Sequence, residues 1–160
     1  MTIKVGDRIP SATLHHMTDD GVAEISTDAL FKGKRVALFG LPGAFTRTCS
    51  AQHLPGFVAN ADAFRAKGID AIVCLSVNDA YVMNVWGKDQ SVGDKVAMIA
   101  DGAAAFTRAL GLDIDLGDRG FGVRSRRYSM LVDDGVVTAL HLEDATGLSV
   151  SNAETLLGDL

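Results

Sequence analysis

Cys49 stands in the stretch LPGAFTRTCSAQHLPGF, residues 41–57, just past a Pro-Gly turn and inside a collar of Thr46, Arg47, Thr48 and Ser50. A cysteine that only fills core space needs neither hydroxyls nor a guanidinium beside it, whereas a reactive one gains from both. If a helix opens here, the unpaired N–H groups of its first turn and the helix macrodipole favour an anion, and the thiolate is the nucleophilic form of cysteine. The chemistry indicated is attack by sulfur; the competing reading is a small buried hydrophobe. Ionisation alone contributes little. A thiol titrating near 8.5 is about 3% thiolate at pH 7, so complete ionisation gains at most ~30-fold, or ~2 kcal/mol. Lower basicity also erodes nucleophilicity. A fast reaction at Cys49 therefore needs other groups to hold the attacked bond in line and to stabilise charge on the departing atom.

The surrounding elements must position those groups. KRVALFGL (34–41) is a short apolar run ending at Pro42-Gly43, which reads as a buried strand feeding a turn. Beyond the cysteine, Leu54, Phe57, Val58, Ala61 and Phe64 mark one face of a helix that closes at Arg65, Lys67 and Gly68, with Pro55 as a kink inside it. IDAIVCLSV (69–77) and KVAMIAD (95–101) read as further buried strands, DAYVMNVWGK (79–88) as a helix ending near Gly87, and AAAFTRALGL (103–112) as a short helix. RRYSMLVDDGVVTALHLE (126–143) is two strands joined at Asp134-Gly135, and the last element opens with Ser151 and Glu154 at capping-box spacing. The pattern predicts an α/β chain with a mixed β-sheet flanked by helices, the arrangement of thioredoxin-like folds.

At 160 residues and 16.8 kDa the chain is expected to form one domain spanning 1–160, with room for a sizeable core. A formal charge of −5 and a pI near 5.2 argue against nucleic acid or an anionic membrane as partner. No apolar run approaches the ~18 residues of a membrane span, and the start MTIKVGDRIP lacks the apolar stretch of a signal peptide. Two cysteines are too few for a disulfide framework, so a reducing compartment, the cytoplasm, is the expectation.

The string Pro42-x-x-x-Thr46-x-x-Cys49, with Arg124 downstream in FGVRSRRYSM, resembles the peroxiredoxins. PGAFT, CSAQHLPGF, SVNDAYVMNVWGK and DDGVVTALHLE resemble the type-five, atypical two-cysteine group in particular, and the resemblance runs along essentially the whole chain. It implies a thioredoxin-like fold and thiol-dependent reduction of hydroperoxides, with no metal or organic cofactor. By position, Cys49 becomes the peroxidatic cysteine, Thr46 and Arg124 complete the active site, and Pro42 shields it. Gly43, Phe45, Thr48 and His53 are expected to line the substrate pocket with Pro42, and a homodimer is expected. From the residues alone Arg124 could equally belong to a solvated RSRR cluster, Thr46 could be only a turn or cap residue, and His53 could lie on the surface.

Two departures from the family pattern bear on mechanism. Arg47 stands where the family commonly has proline, and is either a further charge at the site, suited to an anionic reductant, or an exposed loop residue. Val150, in GLSVSNA, stands where atypical two-cysteine members carry a resolving cysteine. Cys74, mid-strand in IDAIVCLSV, lies roughly 10 Å below the strand edge where Cys49 belongs, beyond the ~7 Å Cα separation of a disulfide. It reads as a buried, inert thiol. A one-cysteine mechanism follows, with the Cys49 sulfenic acid reduced by an outside thiol, glutathione with glutaredoxin being favoured over thioredoxin. A disulfide oxidoreductase would need Cys-x-x-Cys, and position 52 is Gln; a peroxide-sensing switch, in which Cys49 oxidation changes a partner surface, is the rival of another class. His15 and His16 lack further ligand types nearby, and Tyr81, Val82, Val85 and Trp86 read as core or dimer contact.

Overall fold

The computed structural model describes residues Met1–Leu160. Its centre is the three apolar runs read from the sequence. β3 (Arg35–Leu41), β4 (Ala71–Ser76) and β5 (Ala97–Ala100) lie parallel, with Phe39 opposite Cys74 and Leu75 opposite Ile99. β8 (Tyr128–Asp133) runs antiparallel beside β3 and turns into β9 (Val136–Leu142) at Asp134-Gly135, both with positive φ (48° and 81°), the geometry that favours tight hairpins. The other edge is a hairpin of β1 (Thr13–Thr18) and β2 (Gly21–Ser26), giving the seven-stranded order β2-β1-β5-β4-β3-β8-β9. The expected mixed sheet flanked by helices is borne out.

Side chains alternate across the sheet, as a period of two requires. Ala37, Phe39, Ile72 and Cys74 face one layer, packed under α2 (Leu54–Ala59), α3 (Ala61–Ala66), α4 (Ala80–Asp89) and α6 (Ala153–Leu157). Val36, Leu38, Val73 and Leu75 face the other, under α1 (Thr27–Phe31) and α5 (Ala105–Leu110). Two local expectations change, in the helix after Cys49 and in the cap of α6. The helix expected across 54–68 is broken at Asn60 and is preceded by one π-turn, Cys49–His53, in which the Leu54 N–H donates to Cys49 O. Pro55 follows at once and has no N–H to offer the preceding turn. The glycine-rich stretch 117–122 links a small separate ribbon, β6 (Asp113–Leu116) with β7 (Gly122–Ser125). Finally, Asn152 rather than Ser151 caps α6, accepting from the Thr155 N–H at 2.8 Å.

Candidate active site

β3 delivers the chain to Pro42 at the edge of the sheet, and the loop that follows is tied down on three sides. Thr46 donates its hydroxyl to Gly43 O at 2.7 Å, Ala44 N–H donates to Asn78 Oδ1 at 3.0 Å, and the Ser50 N–H donates to Thr46 O at 2.9 Å. Trp86 of α4 donates its indole N–H to Ser50 Oγ at 3.0 Å, so the start of the π-turn is pinned to the helix layer. Cys49, the first residue of that turn, is fully buried.

The guanidinium on its sulfur belongs to Arg127. Nη2 donates to Cys49 Sγ at 3.2 Å, Nη1 to His53 Nδ1 at 2.9 Å, and Nε to Thr146 O at 2.9 Å. Arg127 is only 2% exposed, and no carboxylate lies within ion-pair distance of it; the chain's two ion pairs are Lys4–Asp7 and His141–Asp159. A buried cation without a counter-charge is costly. Among its three hydrogen-bond partners only the sulfur can carry negative charge. His53 cannot compete for that role. Burial, then the neighbouring Arg127 charge, lower its pKa to about 3, and the neutral ring takes a fixed tautomer. Because Arg127 can only donate, Nδ1 accepts and Nε2–H donates to Ser151 O at 3.0 Å.

Arg124 does not take the place expected of it. Its Nη1 donates to Pro42 O at 3.2 Å and its Nε to Phe121 O at 3.0 Å, so it braces the loop without touching sulfur. The register explains the exchange. Tyr128 pairs with Gly40, so the residue before it falls beside the end of β3, whereas Arg124 rides on the separate ribbon opposite Ile114. Gly43 accommodates this brace, since a Cβ there would meet Arg124 Nη1 at 2.5 Å. A recess of about 170 Å³ opens over the site, with Pro42, Thr46, Thr48 and Arg127 in its wall and the exposed Arg47 and Arg119 at its edge beside Phe121. Of the residues expected to line the substrate pocket, Pro42 and Thr48 do so. Gly43 lies behind the wall as a hydrogen-bond acceptor. Phe45 is half exposed, held at a positive φ of 64°, with its ring centroid 6.3 Å from that of Trp86 rather than in the recess. His53 is neither pocket lining nor surface: it is 1% exposed, behind Arg127. A larger concavity, about 610 Å³, lies between α4 and the β1–β5 edge and contains neither cysteine nor arginine.

Cys74 lies in the same core layer as Cys49, fully buried, and burial followed by the nearness of Cys49 pushes its thiol pKa up. Glu143 is the second residue that sequence reasoning missed. It is 3% exposed and accepts from the N–H groups of Ser149, Val150 and Ser151 and from both serine hydroxyls, at 2.7 to 2.9 Å. Burial alone would raise its pKa, but the Ser151 and Ser149 hydrogen bonds outweigh that and lower it to about 2. No residue-type motif announces such a group, because most of its partners are main-chain N–H donors.

A buried cysteine opening a helical turn beside β3 of a thioredoxin-like sheet, with a buried guanidinium donating to its sulfur, is an arrangement suited to thiol chemistry. The redoxin family model matches residues 4–157. The chain is 48% identical over 160 residues to peroxiredoxin-2E, chloroplastic, of Arabidopsis thaliana, covering 98% of this chain and 68% of that protein. It is also similar to the reduced Prx3 of Vibrio vulnificus in complex with H2O2, with a TM-score of 0.95, 48% identity and 99% of each chain covered. A 1-Cys peroxiredoxin of Plasmodium falciparum aligns with a TM-score of 0.89 at 28% identity, over 96% of this chain and 95% of that one. The chain belongs to the redoxin family and, within it, to the peroxiredoxins.

Proposed function

We propose that this peroxiredoxin is a one-cysteine hydroperoxide reductase of type-five kind, in which Cys49 does the chemistry and an outside thiol completes the cycle. The Cys49 thiolate attacks the terminal peroxide oxygen. The S–O bond forms as the O–O bond breaks, and the terminal oxygen stays on sulfur with its proton as sulfenic acid. The departing alkoxide or hydroxide takes from solvent the equivalent of the proton that the thiol released and leaves as alcohol or water. Arg127 is placed to hold the thiolate and the departing oxygen, while the Thr46 hydroxyl, whose proton goes to Gly43 O, offers the recess its oxygen as an acceptor for the peroxide O–H, and Arg124 fixes the Pro42 loop. The reading rests above all on one observation: a buried guanidinium with no carboxylate partner donates to Cys49 Sγ at 3.2 Å.

A thiol then attacks the sulfenic sulfur, expelling water and leaving a mixed disulfide that a second thiol reduces. Glutathione, with glutaredoxin, is favoured over thioredoxin. The exposed Arg47 and Arg119 at the recess edge have no carboxylate partners, and glutathione carries two carboxylates. Exposed Phe45, Tyr81 and Val85 (51%, 67% and 55%) lie at one end of the molecule around α4 and its neighbouring loop, and support a homodimer as the working form. The cytoplasm is the proposed location, on cysteine usage alone. Peroxide consumption measured separately with glutathione–glutaredoxin and with thioredoxin tests the assignment. Faster turnover with thioredoxin would reverse the choice of reductant. Oxidation of Cys49 without turnover by either system would make the protein a peroxide-sensing switch instead.

A further inference from the structure

Glu143 lies just past β9, away from the recess, and touches neither Cys49 nor Arg127 with its side chain. Its carboxylate gathers five donors from Ser149, Val150 and Ser151 into one knot. Its main chain is joined to the arginine segment as well: Glu143 N–H donates to Arg127 O at 3.0 Å, and Glu143 O accepts from Arg126 Nη2 at 3.0 Å. The segment closed by this knot, 144–152, presents the two carbonyls that aim the catalytic guanidinium. Thr146 O takes Arg127 Nε, and Ser151 O takes His53 Nε2–H, which turns His53 Nδ1 toward Arg127 Nη1. Arg127 thus has two of its three hydrogen bonds set by a segment that Glu143 holds shut. The same segment carries Val150, whose N–H is one of the five donors, so it is clamped.

We propose that Glu143 is a positioning residue, which by gathering residues 149–151 fixes the carbonyls that aim Arg127 at Cys49 and so sets the reactivity of that sulfur without touching it. The proposal rests on the reading that Arg127 supports the Cys49 thiolate. The direction of the effect separates positioning from plain charge. Removing a carboxylate from the neighbourhood of a thiolate would, by Coulomb interaction alone, make the thiolate easier to form. Releasing Arg127 makes it harder.

The test is the pH profile of Cys49 alkylation by iodoacetamide, which needs no peroxide, together with the rate of peroxide reduction. Both are measured for Glu143→Gln, Arg127→Gln and the double variant. Glu143→Gln is expected to move the alkylation midpoint up by about one pH unit and to slow peroxide reduction about tenfold, with both effects largely absent in the Arg127→Gln background. A midpoint that is unchanged or moves down, or effects that add fully to those of Arg127→Gln, would overturn the proposal. If Glu143→Gln does not fold, the paired change Ser149→Ala with Ser151→Ala keeps the carboxylate and three main-chain donors and should shift the midpoint in the same direction by less; no shift overturns the proposal. A parent that shows the expected alkylation profile but turns over no peroxide would sink the proposed function and leave this inference standing.

Discussion

Replacing Arg127 with lysine keeps the charge and discards the fork, and the structure sets the size of the loss. Arg127 uses three separate nitrogens, Nη2 on Cys49 Sγ, Nη1 on His53 Nδ1 and Nε on Thr146 O. A lysine ammonium has one nitrogen and no planar geometry, so it cannot reach three partners in three directions. If it stays with the two neutral acceptors, the sulfur loses its donor; if it reaches the sulfur, a buried ring nitrogen and carbonyl go unsatisfied. Loss of a single preorganised donor at a developing charge costs on the order of 100-fold in rate, or about 2.7 kcal/mol. Arg127→Lys is therefore expected to slow the peroxide step at least ~100-fold in stopped-flow measurements. Arg124→Lys loses contacts to Pro42 O and Phe121 O only, and is expected to cost less than about tenfold. A larger loss in Arg124→Lys than in Arg127→Lys would refute the assignment drawn from the register.

Cys49→Ser should abolish peroxide reduction, while Cys74→Ser, a small change at a buried strand position, should keep most of it; turnover by the Cys49 variant would place the chemistry elsewhere. Arg47→Ser should slow the glutathione step roughly fivefold at low salt and leave the peroxide step nearly unchanged, with the difference shrinking as ionic strength rises. An equal loss with an uncharged thiol would remove electrostatic attraction as the cause. Stability should fall in acid through His53. Its folded pKa of about 3 lies below its unfolded value of 6.5, so the unfolded state alone takes up the proton between them, and stability present above pH 6.5 is lost as pH drops. Between pH 7 and 5 this amounts to about 2 kcal/mol in denaturant titrations, before the Glu143 contribution begins to fade below its unfolded value of 4.5. His53→Gln should flatten that slope, and a slope unchanged by the substitution would assign it to other groups.

The parts legible in the sequence are those fixed by local pattern. The runs KRVALFGL and IDAIVCLSV are buried on both faces in the middle of a sheet, so they read as unbroken apolar strands. Asp134-Gly135 announced its hairpin because both residues tolerate positive φ. Cys49 was legible because its setting, a strand end, a turn and the opening of a helix, lies within a dozen residues. The β1–β2 hairpin was not, since at the sheet edge only Leu14 of β1 is fully buried and the alternation is too thin to stand out. Arg127 was beyond local reading. Three arginines crowd into four positions, and only the pairing of Tyr128 with Gly40, nearly ninety residues away, decides which of them meets the sulfur. Pro55 marked a break in the helix but not its form, because a kink and a π-turn are equally open to a residue without an N–H.

Intact-mass spectrometry after one equivalent of peroxide, in dilute protein without added thiol, tests the central claim that Cys49 acts with no partner cysteine in its chain. The account predicts a gain of one oxygen localised to Cys49, a second oxygen with excess peroxide, and a single glutathione adduct at Cys49 when glutathione is present. A rapid and quantitative loss of two hydrogens, mapped to a Cys49–Cys74 bridge within one chain, would contradict it.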